Sequence, residues 1–278
     1  LAARKKPQLT DAARPATFEV EAYNERGEMV PTAIAGEHPL TLYLDKREIV
    51  TLMTLGHAPE ALAIGYLRNQ RLADSLEDIA AVQVDWETDS VAITTRSKKR
   101  LPSLKKRTVT TGCGQGTVFG DLMEEIDSVK LRKDVTLADA DLFVLLEKVR
   151  RHETIYKQAG AVHGCALATA AGEILMFVED VGRHNAVDAI AGFMWLDAID
   201  GSDKVFYTTG RLTSEMVIKC AQMRIPFLVS RSGLTQMGHA IAQKVGITML
   251  GRASGRHYLA FTGKERLVRT TPQPTALA

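Results

Sequence analysis

The stretch TTGCGQG, residues 110–116, sets one thiol among small residues. Cys113 lies between Gly112 and Gly114, with Thr110 and Thr111 before it and Gly116 after. Glycines on either side allow another molecule to come close to the sulfur, and a thiol becomes a nucleophile where neighbouring cations lower its pKa. Lys105, Lys106 and Arg107 stand just upstream in the chain. Residue types leave three roles open to Cys113: a persulfide carrier, a nucleophile for acyl or alkyl transfer, or an inert residue of a turn.

A second concentration of chemistry is EDVGRHNAVD, residues 179–188. Glu179 and Asp180 accept hydrogen bonds, Arg183 and His184 donate them, and Asn185 does both. Asp188 follows His184 by one helical turn, on the same face. Such a set either caps a helix or binds a ligand, and the arginine, histidine and asparagine together favour the ligand. Arginine also recurs downstream where an apolar strand gives way to a helix or turn: Arg211, Arg231, Arg252 and Arg256. In parallel α/β sheets the carboxyl ends of the strands share one edge, where ligands bind and helix N-termini offer free N–H groups. With Arg183 included, five guanidinium groups at equivalent points of successive units predict a site for a large, phosphorylated anion.

The elements that must position these residues follow from the patterning. Residues 39–55 read as two strands around a turn at Asp45–Lys46, and 58–73 as a helix with Pro59 in its first turn. Residues 79–97 alternate on both sides of Glu87–Asp89 as a hairpin does. A single helix is predicted over 140–158, then a hairpin over 164–180 turning at Ala171–Gly172. Strands and helices alternate from there, as in a largely parallel sheet. The expected division is a disordered tail (1–16), a small β-rich N-terminal subdomain (17–108), an α/β cofactor-binding domain with the Cys113 loop (109–270) and a tail (271–278). The basic run RSKKRLPSLKKR (96–107) reads as a solvated linker or as a docking surface for an acidic partner or anionic ligand.

Composition excludes several classes. The chain has 278 residues, 45% hydrophobic and 24% charged, as in ordinary globular proteins. Its formal net charge of +2 gives no reason to expect a nucleic-acid binder. No apolar run is long enough to span a bilayer. The first residues are basic with no apolar segment behind them, so they do not read as a secretory signal, and a cytoplasmic location is expected. Three cysteines without a CxxC pair argue against both a disulfide framework and a cysteine-built zinc site. Cys165 and Cys220 read as core residues.

Taken in order, TGCG, EDVGRHNAVD, TTGRLTSEMVIK, IPFLVSRSGLT and GITMLGRASGR resemble the formate dehydrogenase accessory sulfurtransferase (FdhD) family. The likeness begins in the N-terminal part with EHPLTLYLDKREIVTLMTLGHAPEALAIGYL and covers about residues 30–262. It implies a fold similar to the cytidine deaminase core, here a three-layer α/β core with the smaller β-rich subdomain, and dimeric members. It also implies a function: sulfur passes from a cysteine desulfurase, as a persulfide on Cys113, to a bis-molybdopterin guanine dinucleotide molybdenum cofactor serving the formate dehydrogenase catalytic subunit. The cofactor-binding segment it implies is Arg252, Ala253, Ser254, Gly255, Arg256 and His257. Asp180, Arg183, His184, Asn185, Gly210, Arg211, Ser214, Ser230 and Arg231 complete the expected binding set. The family loop reads GCGxCG, and this chain has Gly116 in place of the second cysteine. A lone thiol can carry a persulfide but cannot resolve it into a local disulfide. Two alternatives stand beside this reading: a chaperone that holds and delivers the cofactor without sulfur chemistry, and a nucleotide-dependent deaminase-like enzyme, against which the absent zinc ligands count.

Overall fold

The computed structural model describes residues 5–97, 108–109, 116–117, 126, 129–152 and 154–270. Among them the α-helices are α1 (Pro59–Asn69), α2 (Asp139–His152), α3 (Ile155–Ala159), α4 (Arg183–Leu196), α5 (Ser214–Gln222) and α6 (Gln236–Val245). The chain divides into two units that interleave along the sequence. The first comprises Leu1–Glu124, Glu153–Cys165 and Val178–Ile199, and the second Glu125–His152, Ala166–Phe177 and Asp200–Ala278.

The strands of the first unit are β1 (Gln8–Leu9), β2 (Thr17–Tyr23), β3 (Met29–Ala35), β4 (His38–Leu44), β5 (Arg47–Thr54), β6 (Ile79–Asp85), β7 (Ser90–Thr95), β8 (Thr108–Val109) and β9 (Gly116–Thr117). Five of them form a sheet in the order β1-β6-β7-β4-β5. The alternation in PLTLYL predicts one buried face, and Leu40, Leu42 and Leu44 are all fully buried. Between β4 and β5 the turn residues Asp45 and Lys46 both have positive φ, +46° and +71°, the conformation a two-residue hairpin of right-handed twist requires. Helix α1 starts on Pro59 as predicted. It crosses α4 so closely that a Cβ on Gly65 would sit 1.6 Å from the Asp188 carbonyl oxygen. Only glycine fits that crossing.

The interleaving departs from the expected boundary at 108, and the reason is this helix crossing. Helix α4 packs on α1, so residues 178–199 group with the N-terminal strands. The expected tail is also corrected. Strand β1 pairs in parallel with the open edge of β6, the Trp86 indole N–H donates to the Ala12 carbonyl at 2.6 Å, and the Arg14 N–H donates to the Gly56 carbonyl at 2.8 Å. Residues 5–16 therefore form a strap on the sheet; the expected tail at 271–278 lies outside the described residues.

In place of one helix over 140–158 there are two, α2 and α3. The Glu179 carboxylate accepts the backbone N–H groups of Thr154, Ile155 and Tyr156, at 3.2, 3.0 and 3.0 Å. A carboxylate at a helix start satisfies donors that a continuous helix would have paired internally.

The second unit holds β10 (Leu137–Ala138), β13 (Lys204–Thr208), β14 (Phe227–Ser230), β15 (Thr248–Ser254), β16 (His257–Thr262) and β17 (Leu267–Val268). Strands β11 (His163–Thr169) and β12 (Ile174–Asp180) contribute residues to both units. The main sheet runs β12-β11-β13-β14-β15-β16. Strands β13, β14 and β15 are parallel and β16 is antiparallel to β15, which agrees with the largely parallel expectation. Leu142, Leu145 and Val149 of α2 pack with Val205, Phe227, Val229 and Leu250 of the sheet in one apolar cluster.

Candidate functional site

The parallel register of the second unit brings strand ends together. Thr208 at the end of β13 pairs with Ser230 at the end of β14, and Val229 pairs with Leu250 of β15. Arg211 follows β13, Arg231 follows β14 and Arg252 lies in β15, and all three are exposed at this carboxyl edge. Hydrogen bonds continue past the strands and stiffen the rim. The Gly210 N–H donates to Thr208 Oγ1 at 3.1 Å, the Leu212 N–H to the Gly233 carbonyl at 3.0 Å, and the Thr235 N–H to the Leu212 carbonyl at 3.1 Å.

Two helices begin at the same edge. Helix α5 starts after Thr213, and α6 after Thr235, whose Oγ1 accepts the Gly238 N–H at 3.1 Å. Helix N-termini favour anions through free N–H groups and the positive end of the dipole. Arg252 has φ +52° and lies within the bulge between Gly251 and Ser254, where β15 and β16 change register. A bulge re-aims the side chain it carries, and the Arg252 N–H is held by the Ser232 carbonyl at 2.9 Å. The turn beyond exposes Ser254, Gly255, Arg256 and His257, whereas Ala253 is buried in the core. Guanidinium forks with helix N-termini beside them have the donor set for phosphate or pyrophosphate oxygens.

EDVGRHNAVD belongs to the first unit, and its polar and charged side chains are buried. Asp180 Oδ2 accepts from Thr54 Oγ1 at 2.5 Å and from the Leu55 N–H at 3.2 Å. Its Oδ1 accepts from the Gly182 N–H at 3.1 Å and from Asn185 Nδ2 at 2.8 Å, and Nδ2 also donates to the Met53 carbonyl at 2.6 Å. Burial pushes the Asp180 carboxyl above its ordinary value, against the pull of those four donors. Asp188 accepts from Asn69 Nδ2 at 2.7 Å. Arg183 and His184 are 3% and 2% exposed. Of the five arginines, Arg183 is a buried residue of the first unit, whereas Arg211, Arg231, Arg252 and Arg256 are exposed residues of the second. In physical terms, Arg183 opens a helix that is buried on nearly every face.

Ser214 is half-buried at the start of α5, and Gly210 is buried beneath the rim. Ser230 is fully buried. Cys113 lies outside the described residues; the strands before and after it, β8 and β9, pair antiparallel with Val109 opposite Gly116. Cys165 and Cys220 are buried, and neither is in a disulfide. A pair the sequence reading missed is Lys219 and Glu215 of α5, 3.6 Å apart and almost wholly buried. Their i,i+4 spacing was the signal, masked because charged pairs at that spacing are usually on the surface. Among the described residues no helix is long and apolar enough to cross a membrane.

Known proteins share this sequence and architecture. The model of the FdhD/NarQ family matches residues 35–268. A sulfur carrier protein FdhD from Listeria monocytogenes is 28% identical over 254 residues, covering 90% of this chain and 95% of that protein. Its namesake from Shouchella clausii is 32% identical over 240 residues, covering 84% and 89%. The solved structure of a formate dehydrogenase accessory protein from Desulfotalea psychrophila matches with a TM-score of 0.76 at 27% identity, over 91% of this chain and 100% of that one. Motif order, mixed α/β architecture and a match over most of its length agree, and the chain belongs to the FdhD/NarQ family.

Proposed function

We propose that this chain is a sulfur carrier in the maturation of a formate dehydrogenase, and that its arginine rim holds the bis-molybdopterin guanine dinucleotide molybdenum cofactor as cargo. The observation that carries the cargo reading is the rim: Arg211, Arg231 and Arg252, exposed at the ends of three adjacent parallel strands beside two helix N-termini. Arg256 on the neighbouring turn adds to the same positive face, with His257 exposed beside it. Guanidinium groups there bind phosphate oxygens in pairs, and N–H groups of the rim satisfy the remainder. The names of the relatives support the sulfur role, and that of the solved structure supports the formate dehydrogenase role.

In the carrier step the Cys113 thiolate attacks the terminal sulfur of a persulfide on a cysteine desulfurase. The sulfur–sulfur bond of that persulfide breaks, a new one forms on Cys113, and the desulfurase cysteine leaves as a thiolate. Sulfur moves with no net oxidation or reduction. The terminal sulfur on Cys113 is then ready for delivery to the cargo. Intact-protein mass spectrometry after incubation with a cysteine desulfurase and cysteine tests the step. The wild type gains one reducible sulfur atom and Cys113→Ala gains none. An unchanged wild-type mass, with the same desulfurase loading another acceptor, contradicts the carrier step.

Gly116 favours a second reading, a chaperone that binds and delivers the cofactor without sulfur transfer. In that case Cys113→Ala still supports formate dehydrogenase activation and Arg252→Ala does not.

A further inference from the structure

Ser230 was expected to touch the cofactor, yet its side chain is fully buried at the end of β14 and its hydroxyl is already committed. Ser230 Oγ donates its single proton to the Gly210 carbonyl at 2.6 Å and accepts the Ser232 N–H at 2.9 Å. A hydroxyl has one proton to give, so this one has none left to donate to a ligand. Its two partners occupy telling positions. Gly210 immediately precedes Arg211, and Ser232 immediately follows Arg231.

We infer that Ser230 is a positioning residue of the rim, whose hydroxyl ties the β13 and β14 loops together so that Arg211 and Arg231 meet a diphosphate as one preformed fork. The inference rests on the anion-site reading above. The tie does not stand alone. Thr208 Oγ1 accepts the Gly210 N–H, which fixes the other side of the same glycine. The Ser232 carbonyl accepts the Arg252 N–H, which joins the third strand. One run of hydrogen bonds thus links the backbones that carry all three arginines. Binding to loops ordered in advance avoids the entropy that mobile loops would lose on engaging the ligand. A diphosphate gains most from this, because its two phosphate groups demand two guanidinium groups at a set spacing.

The test is a double-mutant cycle read by titration calorimetry with inorganic pyrophosphate. Ser230→Ala and Arg211→Ala each weaken binding about tenfold. In the Arg211→Ala background the effect of Ser230→Ala shrinks to about threefold or less, since the hydroxyl acts through the Arg211 loop. A merely structural serine lowers the melting temperature without this coupling. Thr208→Val replaces Ser230→Ala in the cycle should the latter not fold, with the same expectation. Full additivity, or unchanged affinity in Ser230→Ala while Arg211→Ala loses binding, overturns the positioning role and leaves the rim standing. Absence of pyrophosphate binding by the wild type overturns both.

Discussion

Asp180 and Asn185 in the first unit, and Ser230 with Arg211, Arg231 and Arg252 in the second, draw on the same polar chemistry, but they direct it oppositely. Around Asp180, donors from β5, from the residue after it and from the start of α4 converge on one buried carboxyl. At the rim the Ser230 hydroxyl closes inward on Gly210 and Ser232, and the arginine side chains stay exposed. A dense polar motif can therefore be an internal fastening, and a sparse recurrence of arginine can be a binding face. Burial and partners distinguish the two, and residue types do not.

The largest expected effect falls on the fastening. Asp180→Ala strips four donors of their shared acceptor and costs about 3 kcal/mol or more of stability, read by urea denaturation. Arg231→Ala, on the exposed rim, changes stability by no more than about 0.5 kcal/mol. Similar losses in the two variants would break the contrast.

Binding is expected to show the reverse order. Arg211→Ala and Arg252→Ala each reduce pyrophosphate affinity about tenfold, the size of one charge-assisted contact. Wild-type affinity falls as salt rises, because exposed charges are screened within about 8 Å at physiological ionic strength. Salt-independent binding would place the anion away from the exposed rim.

The smallest effect is a pH dependence confined to the strap of the first unit. Arg14 Nη1 lies 3.1 Å from His38 Nδ1, and the Arg14 guanidinium stacks on Trp86 at 4.6 Å. Burial lowers the His38 pKa, the Arg14 charge lowers it further, and Asp89 opposes them. On acidification the unfolded chain binds its proton first, near pH 6.5. Stability is therefore full above about pH 6.5 and is lost as pH falls toward the lower folded value. His38→Gln flattens that slope in denaturation curves taken between about pH 5 and 8; an unchanged slope would remove His38 as its source.

Much of this was legible in the sequence. Asp45–Lys46, Pro59 and the alternation in β4 carry their own local rules, and the structure follows them. Parallel strand ends followed by arginine were legible too, since a carboxyl edge is a topological consequence of strand–helix alternation. What was not legible depends on partners distant in the chain. Nothing near residue 153 announces that Glu179 will cap a second helix, nothing near residue 8 that β6 leaves an edge to fill, and nothing around Ser230 that its hydroxyl is taken by Gly210 and Ser232. Arg183 looked equivalent to Arg211 because both stand at a helix start. Both helices are largely buried; Arg183 is the first residue inside its helix and is buried with it, whereas Arg211 lies in the loop before Ser214 and stays exposed.

Titration of guanosine 5′-diphosphate into the wild type, Arg252→Ala and Asn185→Ala, each corrected for its folded fraction, tests the rim as the ligand-binding face most directly. The predicted result is binding by the wild type and by Asn185→Ala with similar affinity, and a loss of about tenfold or more in Arg252→Ala. Retained binding in Arg252→Ala together with loss in folded Asn185→Ala would contradict it and move the ligand to the buried cluster of the first unit.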